Sequence, residues 1–148
     1  MPWNTLFAVA NAVALIAWLI LILAPRPKAV VEGLRLLVVG GLCTLYVVLL
    51  GTALTMGLGE ASGAKPDFST IAGIRSIFAT DGGVVIGWIH YLAFDLVAGL
   101  WIARDADGRG IGRFIQAPVL ALTFVAGPAG MLCHLLLCNI VPRYRAKG

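Results

Sequence analysis

The chain has 148 residues, of which 60% are hydrophobic and 12% are charged, and its mean hydropathy is +0.96. A soluble domain carries about twice that charged fraction, which excludes a soluble globular enzyme. The formal net charge of +4 does not indicate nucleic-acid binding, because the eleven Lys and Arg residues are scattered between long apolar blocks. The composition predicts one all-α membrane domain over residues 1–148.

Four apolar blocks are long enough to cross the hydrocarbon core as helices. We predict transmembrane spans over residues 6–24, 36–56, 84–103 and 117–141. Pro128, flanked by glycines, should kink or break the fourth span near mid-membrane. Four crossings would place both termini on one side. Lys and Arg would then divide six to five between the two sides, so the positive-inside rule leaves the orientation open.

The least apolar segment lies between the second and third predicted spans. Apolar side chains recur there at steps of three and four, at Phe68, Ile71, Ile74 and Phe78. This period predicts a short amphipathic helix lying in the membrane interface. Asp67 or Ser69 is expected to cap it, and residues 81–83 to end it.

The third span carries His90, Tyr91 and Asp95. A carboxylate at membrane depth costs roughly 2.5–3.5 kcal/mol, so a polar neighbour or a ligand must offset it. At about 100° per residue, Trp88 and Tyr91 share a side with Asp95, whereas His90 lies roughly 140° away. Two interpretations of Asp95 stay open. It is either a hydrogen-bonded anchor, neutral or paired with His90 or His134, or a group that contacts substrate.

The fourth span places polar and small residues on one stripe: Gln116, Thr123, Gly127, Gly130 and His134. Such a stripe is typical of a helix face packed against another helix. Pro128 frees a backbone carbonyl, which Tyr91 or a protonated Asp95 could satisfy. Trp88 and Trp101 are interpreted as interface anchors, and Arg104, Asp105 and Asp107 as a solvated turn.

No cofactor or metal is expected. Two His and one Asp could in principle bind a metal, but no ligand spacing supports a site. Cys43, Cys133 and Cys138 fall inside predicted spans, where cysteine is usually a small apolar filler. No nucleotide-binding loop, nucleophile elbow or haem motif is present. The expected partners are membrane lipid and other membrane proteins, including a second copy of the chain.

Three segments together resemble the ABA4-like family: FSTIAGIRSIF (68–78), GWIHYLAFDLVAGLWIARDA (87–106) and PVLALTFVAGPAGML (118–132). The resemblance covers nearly the whole chain, and its most specific part is the W-x-H-Y-x-x-F-D core. The family pattern often has Arg where this chain has Leu100, so no polar role is expected at that position.

Plant members of this family are associated with the conversion of violaxanthin to neoxanthin. That reaction opens an epoxide and removes a proton to give an allene, which requires an acid and a base but no redox cofactor. The resemblance therefore implies a carotenoid or other isoprenoid isomerase with Asp95 and His90 as acid–base groups. Tyr91 and His134 are further catalytic candidates. The candidate substrate-binding residues are Trp88, Phe94, Thr123, Phe124 and Gly127.

The chain starts without a signal-peptide n-region or a transit peptide, which favours a bacterial protein or an already processed one. The expected location is the bacterial inner membrane or its photosynthetic derivatives. The alternative function is non-enzymatic: a carotenoid- or lipid-binding or structural subunit of a membrane assembly. A transporter is disfavoured because the sequence shows no inverted repeat.

Overall fold

The computed structural model describes residues 2–56 and 67–140, and these residues form helices joined by short connections. The helices are α1 (Trp3–Leu23), α2 (Lys28–Met56), α3 (Ile71–Ile77), α4 (Asp81–Gly108), α5 (Arg113–Val125) and α6 (Gly127–Ile140). A π-helical stretch, Leu34–Val39, lies within α2. The prediction of an all-α fold is confirmed. Within the described ranges, α1, α2 and α4 are the helices long and apolar enough to cross a membrane.

Helix α4 is the central element, and α1 packs along it. The two helices run parallel, and the buried Ala10, Ala14 and Ala17 of α1 lie one turn apart, which allows close approach between membrane helices. Further along, the Trp18 ring lies directly on Gly99 of α4, where any added Cβ would collide with the indole. The core between the helices is completed by Leu21, Leu96 and Ile102, which are fully buried.

Helix α4 is longer than the predicted third span. Its 28 residues extend to about 42 Å, more than the hydrocarbon core of about 30 Å requires. The helix continues through the segment predicted as a solvated turn and ends at Gly108, while the reversal comes at Gly110, which has φ +70°. The turn assignment is therefore wrong for Asp105, which the extended helix carries into the protein interior.

The short helix between the second and third spans is confirmed as α3, but its predicted boundaries are wrong. Thr70 is the N-cap, and its hydroxyl accepts a hydrogen bond from the Gly73 N–H at 3.0 Å. Asp67 instead accepts hydrogen bonds from Ser69 and Thr70, which hold the pKa of its carboxyl below the usual value. Residues 81–83 open α4 rather than ending α3, because Thr80 caps α4.

The predicted fourth span, residues 117–141, is not confirmed. The chain breaks at Ala126 into α5 and α6, with 13 and 14 residues, each about 20 Å long. The break follows from Pro128, which lacks an N–H and whose ring clashes with the preceding turn. As predicted, the helix does not continue through this position.

The two helices form a re-entrant hairpin beside α4. Gln116 near the start of α5 bonds to Asp107 at the end of α4, whereas the Val125 carbonyl at the end of α5 bonds to Tyr91 near the middle of α4. Helix α6 then returns, and His134 reaches Asp105. The hairpin tip, residues 125–127, therefore lies at mid-bundle, where irregular backbone is tolerated only against protein or a polar cavity.

Most of the basic residues in the described ranges lie at one end of the bundle. Six basic residues gather where α1 and α4 end and where α2 and α5 begin: Arg26, Lys28, Arg35, Arg104, Arg109 and Arg113. At the opposite end, Arg75 is the one basic residue that the described ranges contain.

Candidate functional site

The hairpin tip meets α4 at Tyr91. The Tyr91 hydroxyl donates a hydrogen bond to the Val125 carbonyl at 3.2 Å, and the Gly127 N–H faces the same hydroxyl. In a continuous helix the Ala129 N–H would bond to the Val125 carbonyl. Because the helix breaks at Ala126, this N–H bonds to the Ala126 carbonyl instead. The prediction that Tyr91 could satisfy a carbonyl freed near Pro128 is confirmed. Tyr91 thus fixes the tip of the hairpin to α4.

Asp95 lies one turn further along α4, beside the Tyr91 hydroxyl and directly against Gly127. Its carboxyl occupies the space that a Cβ at position 127 would need, so glycine is required for this contact. Helix α6 begins at Gly127, which turns the partial positive charge of a helix N-terminus toward the carboxyl group. The backbone of the hairpin, together with Tyr91, therefore forms the polar surroundings of Asp95.

One oxygen of Asp95 has no partner among the residues that the structure describes. The Oδ2 atom is buried and makes no hydrogen bond with the described residues. Buried polar atoms are nearly always hydrogen-bonded, and ionisable groups inside membrane helices are often functional, so this oxygen is a candidate contact for a ligand or a proton. The proposed pairing of Asp95 with His134 or His90 is wrong, because His134 bonds to Asp105 and His90 lies elsewhere on α4.

His90 and Phe94 lie together on an exposed face of α4, away from Asp95. Their rings stack with centroids 4.6 Å apart, and the His90 ring is 5.5 Å from that of Tyr46 on α2. The separation of His90 from Asp95 agrees with the prediction, from about 100° per residue, that they lie on different sides of the helix. His90 and Asp95 therefore lie on different faces of α4.

Trp88 connects the site to α1. Its Nε1–H donates to the Asn11 side-chain oxygen at 3.0 Å, and its ring stacks on Tyr91 with centroids 5.3 Å apart. The ring of Phe7 on α1 packs against the Trp88 ring, with centroids 5.7 Å apart. Trp88 is therefore more than an interface anchor, because it holds Tyr91 from the α1 side.

The Trp88–Asn11 hydrogen bond should show a measurable coupling energy. In a double-mutant cycle of Asn11→Leu and Trp88→Phe, we expect a coupling of about 0.6 kcal/mol, the typical value for hydrogen bonds between membrane helices. The measurement is reversible unfolding in mixed micelles, followed by tryptophan fluorescence. Strictly additive single-variant effects would contradict a hydrogen bond that contributes to stability.

The remaining hairpin candidates pack its stem rather than line the Asp95 site. Thr123 is fully buried, donates to the Val119 carbonyl at 2.8 Å and lies against Gly130 of α6. The ring of Phe124 contacts Trp18, with centroids 5.6 Å apart. Among the predicted site residues, the structure thus brings together Trp88, Tyr91, Asp95 and Gly127.

His134 belongs to a second polar cluster, near the end of α4. Its Nε2 atom is 3.1 Å from Asp105 Oδ2, and the Cys138 sulfur is 3.4 Å from both of these atoms. The Arg109 Nε–H donates to the same Asp105 oxygen at 2.6 Å, and this hydrogen bond raises the pKa of Arg109 above its ordinary value. Sequence reasoning missed this cluster because it placed Asp105 in a turn. The available signal was the i, i+4 spacing of His134 and Cys138, which puts both on one helix face.

A third cluster joins α1, α4 and α5 at the same end. The Arg26 side chain, 2% exposed, donates to the Leu21 carbonyl, to Asp107 and to Gln116. Gln116 in turn donates to Asp107 at 2.8 Å and to the Ile111 carbonyl at 2.6 Å. Burial lowers the pKa of Arg26, and the neighbouring Asp107 carboxylate opposes that shift. This cluster fixes the start of the hairpin.

Comparison with known proteins identifies the family. The model of the family described as ABA DEFICIENT 4-like matches residues 5–134, which include α4 and the hairpin as far as His134. No curated protein and no solved structure matches the chain. Leu100, at the position where the family pattern often has Arg, lies in the apolar core with Trp18. Because the match spans most of the sequence, the chain belongs to the ABA4-like family.

Proposed function

We propose that this protein is a multi-pass integral membrane protein of the bacterial inner membrane that isomerises a carotenoid or another polyisoprenoid by acid–base chemistry. The observation that carries the proposal is the Oδ2 atom of Asp95 at the hairpin tip, which is buried and accepts no hydrogen bond from the described part of the chain. An isomerisation of this kind moves a proton between two substrate atoms and consumes no redox partner. A carboxyl group can release a proton in one half of such a reaction and accept it in the other.

The surroundings of Asp95 suit an apolar substrate. Val125 at the hairpin tip is 74% exposed and Trp88 is 38% exposed, so the site opens sideways toward the lipid-facing surface. A long polyene could lie across these side chains without leaving the membrane. Tyr91 is held by both the hairpin and Trp88, and its hydroxyl oxygen would accept a hydrogen bond from the protonated Asp95 carboxyl and so orient it. In this proposal Tyr91 replaces His90 as the second polar group.

The test uses the full chain purified from its native membrane. Lipid extracted from that membrane is incubated with the protein in nanodiscs, and products are separated by chromatography and identified by absorbance and mass. An isomerase gives a product of unchanged mass and changed retention. We expect Asp95→Asn to lower the rate by about 100-fold, the lower end of the contribution of general acid–base catalysis.

The matched control is Asp67→Asn, the same chemical change outside the bundle, which should leave the rate unchanged. A bound pigment that is never converted, with Asp95→Asn lowering stability alone, would support the alternative of a pigment-binding or structural subunit. A folded protein that carries no polyene and converts none would contradict the proposal.

A further inference from the structure

The cluster of Asp105, His134 and Cys138 has the composition and the geometry of a metal site. Carboxylate oxygen, imidazole nitrogen and thiolate sulfur are the ligand types of zinc proteins. The three donor atoms lie within 4.8 Å of one another, and the pairwise distances are 3.1 Å, 3.4 Å and 3.4 Å. Bond lengths of about 2.0–2.3 Å in a tetrahedral zinc site place ligand atoms about 3.3–3.7 Å apart. The observed separations therefore require an adjustment of a few tenths of an ångström.

The arrangement differs from a catalytic triad. In a Cys-His-Asp triad, the thiol and the carboxylate bond to opposite nitrogens of the imidazole ring. Here Asp105 and Cys138 both approach the Nε2 atom of His134. A single bound ion requires three ligand atoms that lie close together in this way. A proton relay through the imidazole ring would instead require partners at both ring nitrogens.

The surroundings also suit a metal ligand set. His134 is 1% exposed, and Trp101 packs edge-on against its ring with centroids 5.4 Å apart, which fixes the orientation of the imidazole. The Arg109 Nε–H donates to Asp105 Oδ2, and a carboxylate oxygen has lone pairs for both the guanidinium and an ion. Asp105 and Trp101 also line a cavity of about 420 Å³.

We propose that Asp105, His134 and Cys138 bind a divalent transition-metal ion of the zinc type, distinct from the Asp95 site at the other end of the hairpin. Binding displaces the proton of the Cys138 thiol, so the carboxylate and thiolate charges balance the charge of the ion. The ion links α6 to the end of α4 and so fixes the second helix of the hairpin to α4. Three protein ligands leave a fourth coordination position for water or an exogenous ligand.

The first experiment measures metal binding by the untagged full chain in detergent. After chelator treatment, the protein is titrated with Zn²⁺, followed by elemental analysis, and separately with Co²⁺, followed by absorption spectroscopy. We expect one equivalent per chain and a thiolate-to-cobalt charge-transfer band. Cys138→Ser should abolish the band, and His134→Asn should weaken Co²⁺ binding at least about tenfold. Cys133→Ser, one residue from His134 but exposed, is the matched control and should keep both properties.

A second measurement needs no variant and covers the possibility that Cys138→Ser fails to fold. The native protein is labelled with a maleimide with and without Zn²⁺, and each cysteine is quantified by mass spectrometry. Zn²⁺ should slow labelling of Cys138 at least about tenfold and leave Cys43 and Cys133 unchanged. A chain that binds no stoichiometric Zn²⁺, or whose cobalt band survives in Cys138→Ser, overturns the proposal.

Discussion

Replacing Gln116 by Leu is expected to lower the free energy of unfolding by about 3 kcal/mol, because it removes three hydrogen bonds of a buried side chain at once. Gln116 is 2% exposed, accepts a hydrogen bond from Arg26 and donates to Asp107 and to the Ile111 carbonyl. Leucine has nearly the same volume, so the loss reports on polar contacts rather than on a cavity. The Arg26 guanidinium is left buried with one fewer acceptor, which is the costly part of the change.

The measurement is reversible unfolding of the detergent-solubilised chain, followed by circular dichroism. Phe114→Leu is the control on the same helix, because Phe114 is 97% exposed and its truncation should change stability by less than about 0.5 kcal/mol. Equal stability of Gln116→Leu and the native chain would show that the Arg26 cluster does not hold the hairpin to α1 and α4.

The sequence predicted the helical class and the family because both depend on long apolar blocks and local motifs. It also predicted the break at Pro128, since the missing N–H acts on its own helix. It could not predict that the chain turns back there. A continuous apolar block of 25 residues has the same composition whether it crosses the membrane or folds into a hairpin. The direction depends on where Gln116 and His134 find polar partners on α4.

The candidate site was predicted only where its residues share one helix. Helical periodicity correctly grouped Trp88, Tyr91 and Asp95, because residues on one helix face are fixed by their spacing. It also separated His90 from Asp95. The partners of His134 were not predictable in this way, since Asp105 is 29 residues away and lies on another helix. A polar run such as residues 104–109 indicates a solvated turn when read locally, and only the length of α4 shows that it is helical and partly buried.

Gly130→Ala tests whether the hairpin is as tightly closed as its contacts indicate. A Cβ at position 130 would overlap the backbone nitrogen and Cα of Thr123 as well as its hydroxyl, and backbone atoms cannot move aside as a flexible side chain can. Overpacking of this kind typically costs 1–3 kcal/mol, and we expect a loss of about 3 kcal/mol in the free energy of unfolding.

The matched control is Gly51→Ala in α2, where an added Cβ meets no atom within 4 Å. That variant should be unchanged or up to about 1 kcal/mol more stable, because alanine is the better helix former. The comparison distinguishes a hairpin from a continuous fourth span. In a continuous span, residues 123 and 130 would lie about 10 Å apart along the helix axis and would not touch. Gly130→Ala would then be tolerated as well as Gly51→Ala. Similar stabilities for the two alanine variants would therefore contradict the re-entrant hairpin, and with it the position of Gly127 against Asp95.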